Sequence, residues 1–320
     1  MDHLKVGLVT CAHVHTTAYV NSLGQHANAS ISGIWDHDAE RGSAYAAKLG
    51  LTVFATYEEL LNASDAVAIA SENVYHGRYG IQAAKAGKHI ICEKPLVTDV
   101  EEGQEMIRIC REKNLRLMTA FPCRFSPAWK NLKAKVKNGD IGAVKAICAT
   151  NRGRCPGGWF TQPELSGGGA MIDHTVHVSD LLRDLLGEEP VKVNAQIGSN
   201  MYGQEWDDTA MVTLEYPSGV FATLDSSWSR PATYKTWGDV TMNVVGETGV
   251  LELDMFGQAI ELYSAKSPNH ASLGYGSDLD SQLFGEFVSA CLEGRDPIVT
   301  GEDGLAAAKV ALAAYASVVK

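Results

Sequence analysis

Apolar runs and helical stripes alternate through the first third of the chain. Leu4 to Val9 is a short apolar run after a charged start, and Thr16 stands where it would cap a helix reaching Leu23. Ile31 to Trp35 is a second run ending at Asp36. Asp38 to Leu49 then has helical spacing and stops at Gly50, a residue suited to a left-handed C-terminal cap. Val53 to Ala55 predicts a third strand, ahead of a short helix containing Glu58, Glu59, Leu60 and Leu61. Ala66 to Ala70 is apolar throughout, the pattern of a strand buried on both faces. A helix over His76 to Ala86 stops at Gly87, followed by a strand over Ile90 to Cys92, a helix over Val100 to Lys113 and a strand over Leu115 to Ala120. Alternation this regular predicts an α/β unit with a doubly wound parallel sheet.

The pattern changes beyond residue 120. Strand-like runs rich in Val, Thr and aromatics cover Ala143 to Thr150, Val191 to Ile197, Thr209 to Tyr216, Val220 to Ser227, Asp239 to Val245 and Gly249 to Asp254. Short Gly-containing turns such as Pro217-Ser218-Gly219 and Gly246-Glu247-Thr248-Gly249 join several of them, the mark of antiparallel hairpins. With helices near 170–186, 280–293 and 303–318, this half reads as α+β around a large, open, mainly antiparallel sheet. The boundary falls at Pro122 to Pro127, giving domains 1–122 and 123–320. An open sheet needs cover on its second face, and Trp228, Tyr234, Trp237 and Tyr263 along it suggest another copy of the chain, hence a homo-oligomer, dimer or tetramer.

Composition narrows the function classes. The 320 residues are 45% hydrophobic and 20% charged, an ordinary globular make-up long enough for two cores. Lys+Arg 27 against Asp+Glu 38 gives a net charge of −11, a field that repels phosphate backbones and anionic bilayers, so neither nucleic acid nor membrane is expected as a partner. No apolar run approaches the roughly 20 residues needed to cross a bilayer. The N-terminus lacks a basic region leading into a signal core, which points to a soluble, cytoplasmic protein. Seven cysteines without C-x-x-C spacing fit free thiols in a reducing compartment.

In a doubly wound sheet, ligands bind beyond the C-terminal ends of the strands. After the first strand comes Thr10-Cys11-Ala12-His13-Val14-His15, with Thr10, Ala12 and His15 where a dinucleotide-binding loop carries three glycines. Where such a loop requires φ > 0, a non-glycine residue costs about 1 kcal/mol. The helix behind it still offers amide donors and a positive dipole end to a phosphate. Asp36 follows the second strand, where a carboxylate binds the ribose 2′-hydroxyl and repels a 2′-phosphate, favouring NAD over NADP. Glu93-Lys94-Pro95 ends a later strand, placing the Lys94 ammonium at the sheet's upper edge, where it can stabilise alkoxide character. Ser166-Gly167-Gly168-Gly169 leads into a helix on which Asp173, His177, Asp180 and Asp184 share one stripe, opposite Val178, Leu182 and Leu185. That stripe reads either as a wet face or as a proton-transfer site, with His177 as acid/base and Asp173 one turn earlier holding the imidazole or a substrate hydroxyl.

Taken in order, these pieces resemble the glucose–fructose oxidoreductase, inositol dehydrogenase and MocA family of NAD(P)-dependent oxidoreductases over nearly the full length. The match runs through the strand to Asp36, Ser71-Glu72-Asn73-Val74-Tyr75-His76, Ala86 to His89, Glu93-Lys94-Pro95, Arg124, Gly139-Asp140-Ile141-Gly142, and Gly167-Gly168-Gly169 with Asp173, His177 and Asp180. The resemblance implies a Rossmann dinucleotide-binding domain followed by a substrate-binding and oligomerisation domain, with hydride passing between nicotinamide and a sugar or cyclitol carbon. It implies Lys94, Asp173 and His177 as catalytic residues. Thr10, Ala12, His13, Val14, Asp36, Ser71, Asn73, His76, Glu93 and Lys94 would lie against NAD. Lys94, Arg124, Asn151, Arg154, Trp159, Asp173 and His177 would lie against substrate. Glycines are usual in the family where Thr10 and Ala12 stand, and a Pro or Thr near Glu72.

Three other readings stay open. Some relatives retain NAD and use transient oxidation to cleave glycosides or epimerise. The chain could also be a nucleotide-dependent sensor without catalysis, although such a sensor has no need of Lys94, Asp173 and His177 together. Finally, His13-x-His15 with Asp173 or His177 opposite could ligate a zinc-like ion, although two loop histidines more often contact phosphate or water, and no metal is expected.

Overall fold

The computed structural model describes residues 2–262, 271–274 and 276–318, and the chain divides into two compact units. One comprises residues 1–122, 164–167 and 279–308, the other 123–163, 168–278 and 309–320.

The first unit holds β1 (Leu4–Val9), α1 (Thr16–Gly24), β2 (Ala29–Trp35), α2 (Ala39–Leu49), α3 (Tyr57–Ala63), β3 (Ala66–Ile69), α4 (His76–Lys85), β4 (His89–Cys92), α5 (Val100–Glu112) and β5 (Leu117–Thr119). The strands form one parallel sheet in the order β2-β1-β3-β4-β5. Every residue of β3 is fully buried, which explains its uninterrupted apolar sequence. Local chemistry sets the helix ends. The Asp38 carboxylate accepts from Arg41 N at 3.0 Å, and Gly50 closes α2 at φ 66°. Thr56 and Glu59 form a capping box on α3, and Asp99 caps α5. Two expectations fail locally. Val53 to Ala55 is no strand: Thr52 O and Phe54 N bond only to Ile34, so Val53 makes a single bridge. Thr16 is not the cap of α1, because its hydroxyl donates back to His13 O at 2.7 Å and His15 occupies the N-cap.

The second unit is built on α6 (Pro127–Lys137), β6 (Val144–Gly153), the short α7 (Pro163–Ser166, ending in the first unit), α8 (Ala170–Leu186), β7 (Lys192–Gly198), β8 (Thr209–Glu215), β9 (Phe221–Ser227), β10 (Gly238–Gly246) and β11 (Val250–Asp254). Six of its strands form a sheet in the order β11-β10-β6-β9-β8-β7, antiparallel except where β6 runs parallel to β9. A small hairpin pairs β12 (Ala259–Leu262) with β13 (Ala271–Gly274). One sheet face, with Ile147, Val212, Leu214, Ala222 and Leu224, is buried, and α8 packs on β6, β8 and β9.

Two helices complete the chain, α9 (Leu279–Glu293) and α10 (Gly301–Ser317). They correct the expected contiguous division at 122. α9 packs on α1, with the Tyr19 and Phe284 rings edge to face at 4.6 Å, and Thr300 bridges Met118. Apolar contact therefore draws 279–308 into the first unit. Trp228 also departs from expectation: it is 1% exposed and turned inward, because it lies past the end of β9 where strand alternation no longer applies. Tyr263 lies outside the described residues.

Candidate functional site

Thr10 makes the turn that a fingerprint glycine would make. Its φ is 64°, in the left-handed region, and it is completely buried. Its hydroxyl donates to Ala70 O at 2.8 Å and accepts from Ala12 N at 3.4 Å, fastening the loop to the end of β3. α1 then begins with no side-chain cap, which leaves its N-terminus suited to an anion. Val14 is exposed at the loop tip, while His13 is buried and donates its backbone N–H to Ala70 O. This geometry fits a dinucleotide pyrophosphate in the absence of the glycines.

Behind the loop, Glu93 gathers an unexpected network. Its Oε1 lies 2.9 Å from His15 Nδ1 and 3.2 Å from His13 Nδ1, and it accepts the Tyr19 hydroxyl, while Oε2 accepts Lys94 N at 3.0 Å. Burial alone would raise the carboxyl's pKa, but His13 and His15 hold it well below the usual range. Burial pushes His13 down to about 3 despite the opposing pull of Glu93. His15 is also disfavoured by burial, yet the Glu93 carboxylate raises its pKa above the ordinary value. The third member of the histidine cluster is thus Glu93, where the metal reading expected Asp173 or His177. The three residues have ligand-type atoms within 4.8 Å of one another.

Asp36 ends β2 as expected, but its carboxylate is held by Arg41, with Nε to Oδ2 at 2.9 Å and a terminal nitrogen to Oδ1 at 2.7 Å. Burial opposes the charge, while Arg41 and the Cys11 and Asp38 amides bring the Asp36 pKa below its ordinary value. Ser71, Asn73 and His76 are buried and bonded within the first unit. Ser71 donates to Glu72 O, Asn73 Nδ2 donates to Ser166 O at 2.8 Å, and the His76 ring faces Pro95 O and Ser71 O. Burial pushes the His76 pKa down. These side chains brace the strand ends from behind. Lys94 follows β4, joined to Pro95 by a cis peptide, and is only 5% exposed, a degree of burial uncommon for a lysine.

In the second unit, Asp173 and His177 sit one turn apart on α8. From Ala170 to Leu182 every residue is buried except His177, which is half-buried. The polar stripe is therefore not a wet face. Asp180 is fully buried and held by Arg124 through two bonds of 2.7 and 2.8 Å, and Asp184 lies 2.9 Å from the same guanidinium. Arg124, expected against substrate, is held on α8 by this ion pairing. The Asp173 carboxylate accepts the Trp228 indole N–H at 2.9 Å and lies 3.2 Å from His174 Nε2. The other His174 nitrogen, Nδ1, lies 2.7 Å from Asn151 O. Asn151 is itself buried and donates to Asp239 O. Arg154 donates to Tyr234 O, and Trp159 stacks on Phe160 at 3.8 Å between centroids.

Sequence reasoning missed His174, Trp228, Arg41 and Asp207. Asp207 replaces a side-chain cap on α8: its carboxylate accepts from Gly169 N at 3.0 Å and Met171 N at 2.8 Å. The glycine run has a different purpose from the close ligand approach expected. A Cβ at Gly169 would stand 2.0 Å from Asp207 O, and one at Gly168 would stand 2.1 Å from the Tyr315 hydroxyl.

Residues 4–121 match the family profile of the oxidoreductase family with an NAD-binding Rossmann fold, and residues 129–252 match the GFO/IDH/MocA C-terminal domain. The myo-inositol 2-dehydrogenase of Thermotoga maritima is 31% identical over 268 residues, covering 79% of this chain and 77% of that protein. The chain belongs to the GFO/IDH/MocA family. As a member of that family it is an oxidoreductase with an NAD-binding Rossmann domain. The 2,7-anhydro-N-acetylneuraminate hydratase of Escherichia coli K12 is 30% identical over 73% of this GFO/IDH/MocA chain and 63% of its own. The crystal structure of GenD2 from gentamicin A biosynthesis, in complex with NAD, shares the fold, with a TM-score of 0.89 at 23% identity over 99% of this chain and 94% of that one.

Proposed function

We propose that the protein is an NAD-linked dehydrogenase of a sugar, cyclitol or related polyol. The observation that carries this reading is that His177 alone is half-buried on the otherwise buried stretch Ala170 to Leu182 of α8, one turn from the anchored carboxylate of Asp173. NAD⁺, when bound, supplies the hydride acceptor. His177 takes the proton of the substrate hydroxyl, Asp173 orients the substrate, and Lys94 stabilises the developing oxyanion. Asn151, Arg154 and Trp159 contribute to substrate contact. His13, His15 and Glu93 act as a hydrogen-bonded anchor without a metal, and elemental analysis finding a stoichiometric transition metal would overturn that part. The seven free thiols suit a cytoplasmic protein, and a further copy of the chain covers the open sheet.

The test is His177→Ala assayed on a polyol panel by absorbance of the reduced nicotinamide. Turnover should fall by roughly 10²–10⁴-fold. Unchanged turnover across pH would remove His177 as the base. A second reading, transient oxidation by retained NAD, is favoured by the similarity to a hydratase. Product formed without net growth of reduced nicotinamide would select it.

A further inference from the structure

Not every ring near Asp173 belongs to a closed core. Trp228 and Phe160 do, at 1% and 5% exposed, and they pack with Ala170 at the start of α8. Trp159 and Trp206 rest against that cluster but are only half-buried, and Tyr202 and Met201 are 44% and 50% exposed. The contacts form a line outward from Asp173. Its carboxylate takes the Trp228 indole N–H, Trp206 meets the Trp228 ring edge to face at 5.4 Å, and Tyr202 lies 5.5 Å from Trp206. The Tyr202 hydroxyl closes the line by donating to Trp228 O at 3.4 Å. Two carboxylates anchor the loop between β7 and β8 that carries Tyr202 and Trp206. Asp208 is fully buried and accepts from Met201 N at 2.9 Å and Tyr202 N at 2.8 Å, while Asp207 is tied to Gly169 N and Met171 N. An anchored aromatic patch left open to water, continuous with a substrate-orienting group, marks a binding surface.

We propose that the substrate is a glycoside: the ring bearing the reacting hydroxyl lies at Asp173, and a second, uncharged sugar ring lies on Trp206 and Tyr202. This rests on the proposed polyol-dehydrogenase function and narrows its substrate class. One face of a pyranose is a layer of C–H bonds, which suits the electron-rich face of an aromatic ring, while the hydroxyls at its rim stay in water. A free hexose or cyclitol at Asp173 would leave this surface bare, since the whole Trp228 indole separates Trp206 from that carboxylate. Charge narrows the choice further. Residues 199–208 carry Glu205, Asp207 and Asp208 and no Lys or Arg, and residues 155–162, which include Trp159, carry no charged side chain. A phosphorylated or nucleotide-linked sugar would bring its anion to carboxylates, with no guanidinium or ammonium on either segment to pair it.

Matched sugars test this on the full chain with NAD⁺. Methyl β-glucoside is compared with cellobiose, methyl β-galactoside with lactose, and methyl α-glucoside with maltose and with glucose 1-phosphate. Both reduced nicotinamide and sugar product are measured, so that turnover without net reduction is also seen. At least one disaccharide should exceed its methyl glycoside by about tenfold in kcat/KM. Tyr202→Ala and Trp206→Ala should each lower that ratio by at least about threefold, and Trp206→Phe, which keeps an aromatic face, should retain most of it. Melting curves check that each variant is folded, and the exposed Tyr202 carries the test if Trp206→Ala is not. Methyl glycosides turned over as well as disaccharides, a preference for glucose 1-phosphate, or a ratio moving less than about threefold overturns the second-ring site. Turnover of none of these sugars, nor of the wider polyol panel, overturns instead the dehydrogenase function on which the proposal rests.

Discussion

A threonine at φ 64° is costly, since its branched Cβ crowds the following carbonyl by roughly 1–2 kcal/mol relative to glycine. At Thr10 the hydroxyl offsets that strain through its buried bond to Ala70 O, a contact worth about 1 kcal/mol. Thr10→Gly should therefore shift stability by no more than about 1 kcal/mol, because strain and bond disappear together. Thr10→Val keeps the branched crowding and removes one of the two donors to the buried Ala70 O, His13 N being the other, and should lose about 1 kcal/mol. Urea midpoints of the two variants check the order; a valine variant as stable as wild type would show that the hydroxyl does not hold the loop. At this scale the sequence made strand-end residues legible, since Asp36 and Lys94 follow apolar runs whose ends are visible by inspection. Side-chain partners were less so. The Arg41 clasp depends on a turn and a helix start acting together, and Trp228 lies one residue past the end of β9, where the strand's alternation no longer sets its direction.

Whole elements were more legible than the contacts that fix them. Alternation and Gly-containing turns located the strands of the second half within a few residues, because each strand's period is set by its own pleat. The stripe on α8 was visible too, but not that it faces inward, because the Arg124 partner of Asp180 comes from 56 positions earlier. The loop after β1 likewise concealed its link to β4 through Glu93, and that link predicts a pH dependence. His13 has a lowered pKa, about 3, so between there and about 6.5 the unfolded chain binds a proton that the folded one refuses, and its contribution to stability is lost as pH falls. His15 has a raised pKa, so its contribution is fully present below about 6.5 and is lost as pH rises through the folded value. Glu93, held low, favours the fold above about 4.5 and loses that contribution in stronger acid. His13→Gln should accordingly flatten the fall in stability from pH 6.5 toward 5, and His15→Gln should remove a fall in stability as pH rises above about 6.5. Urea midpoints at half-unit steps of pH measure both slopes, and the same change of slope in the two variants would refute the division of roles.

At the scale of the molecule, the sheet of the second unit raises the question of what covers its outer face. Strand register places Met211, Phe221, Val245 and Val250 on that side, each between 39% and 56% exposed. Thr213, Thr223 and Asn243 share it. Among the expected aromatics, Trp228 is buried and Trp237 is exposed beyond the strand ladder, so the apolar character of this face comes from strand interiors. A six-stranded face carrying both apolar and hydroxyl side chains suits a second copy of itself, for which strand alternation provides matching rows on each side. The proposed oligomer should therefore elute with a light-scattering mass that is a multiple of the 34.4 kDa chain. Phe221→Glu combined with Met211→Glu should return it toward one chain, because two carboxylates would have to lose water in the contact. Cofactor affinity should be unaffected, since neither residue belongs to the first unit. A wild type that runs as a single chain at micromolar concentration would overturn the oligomer, and an unchanged mass in the double variant would move the contact to another surface.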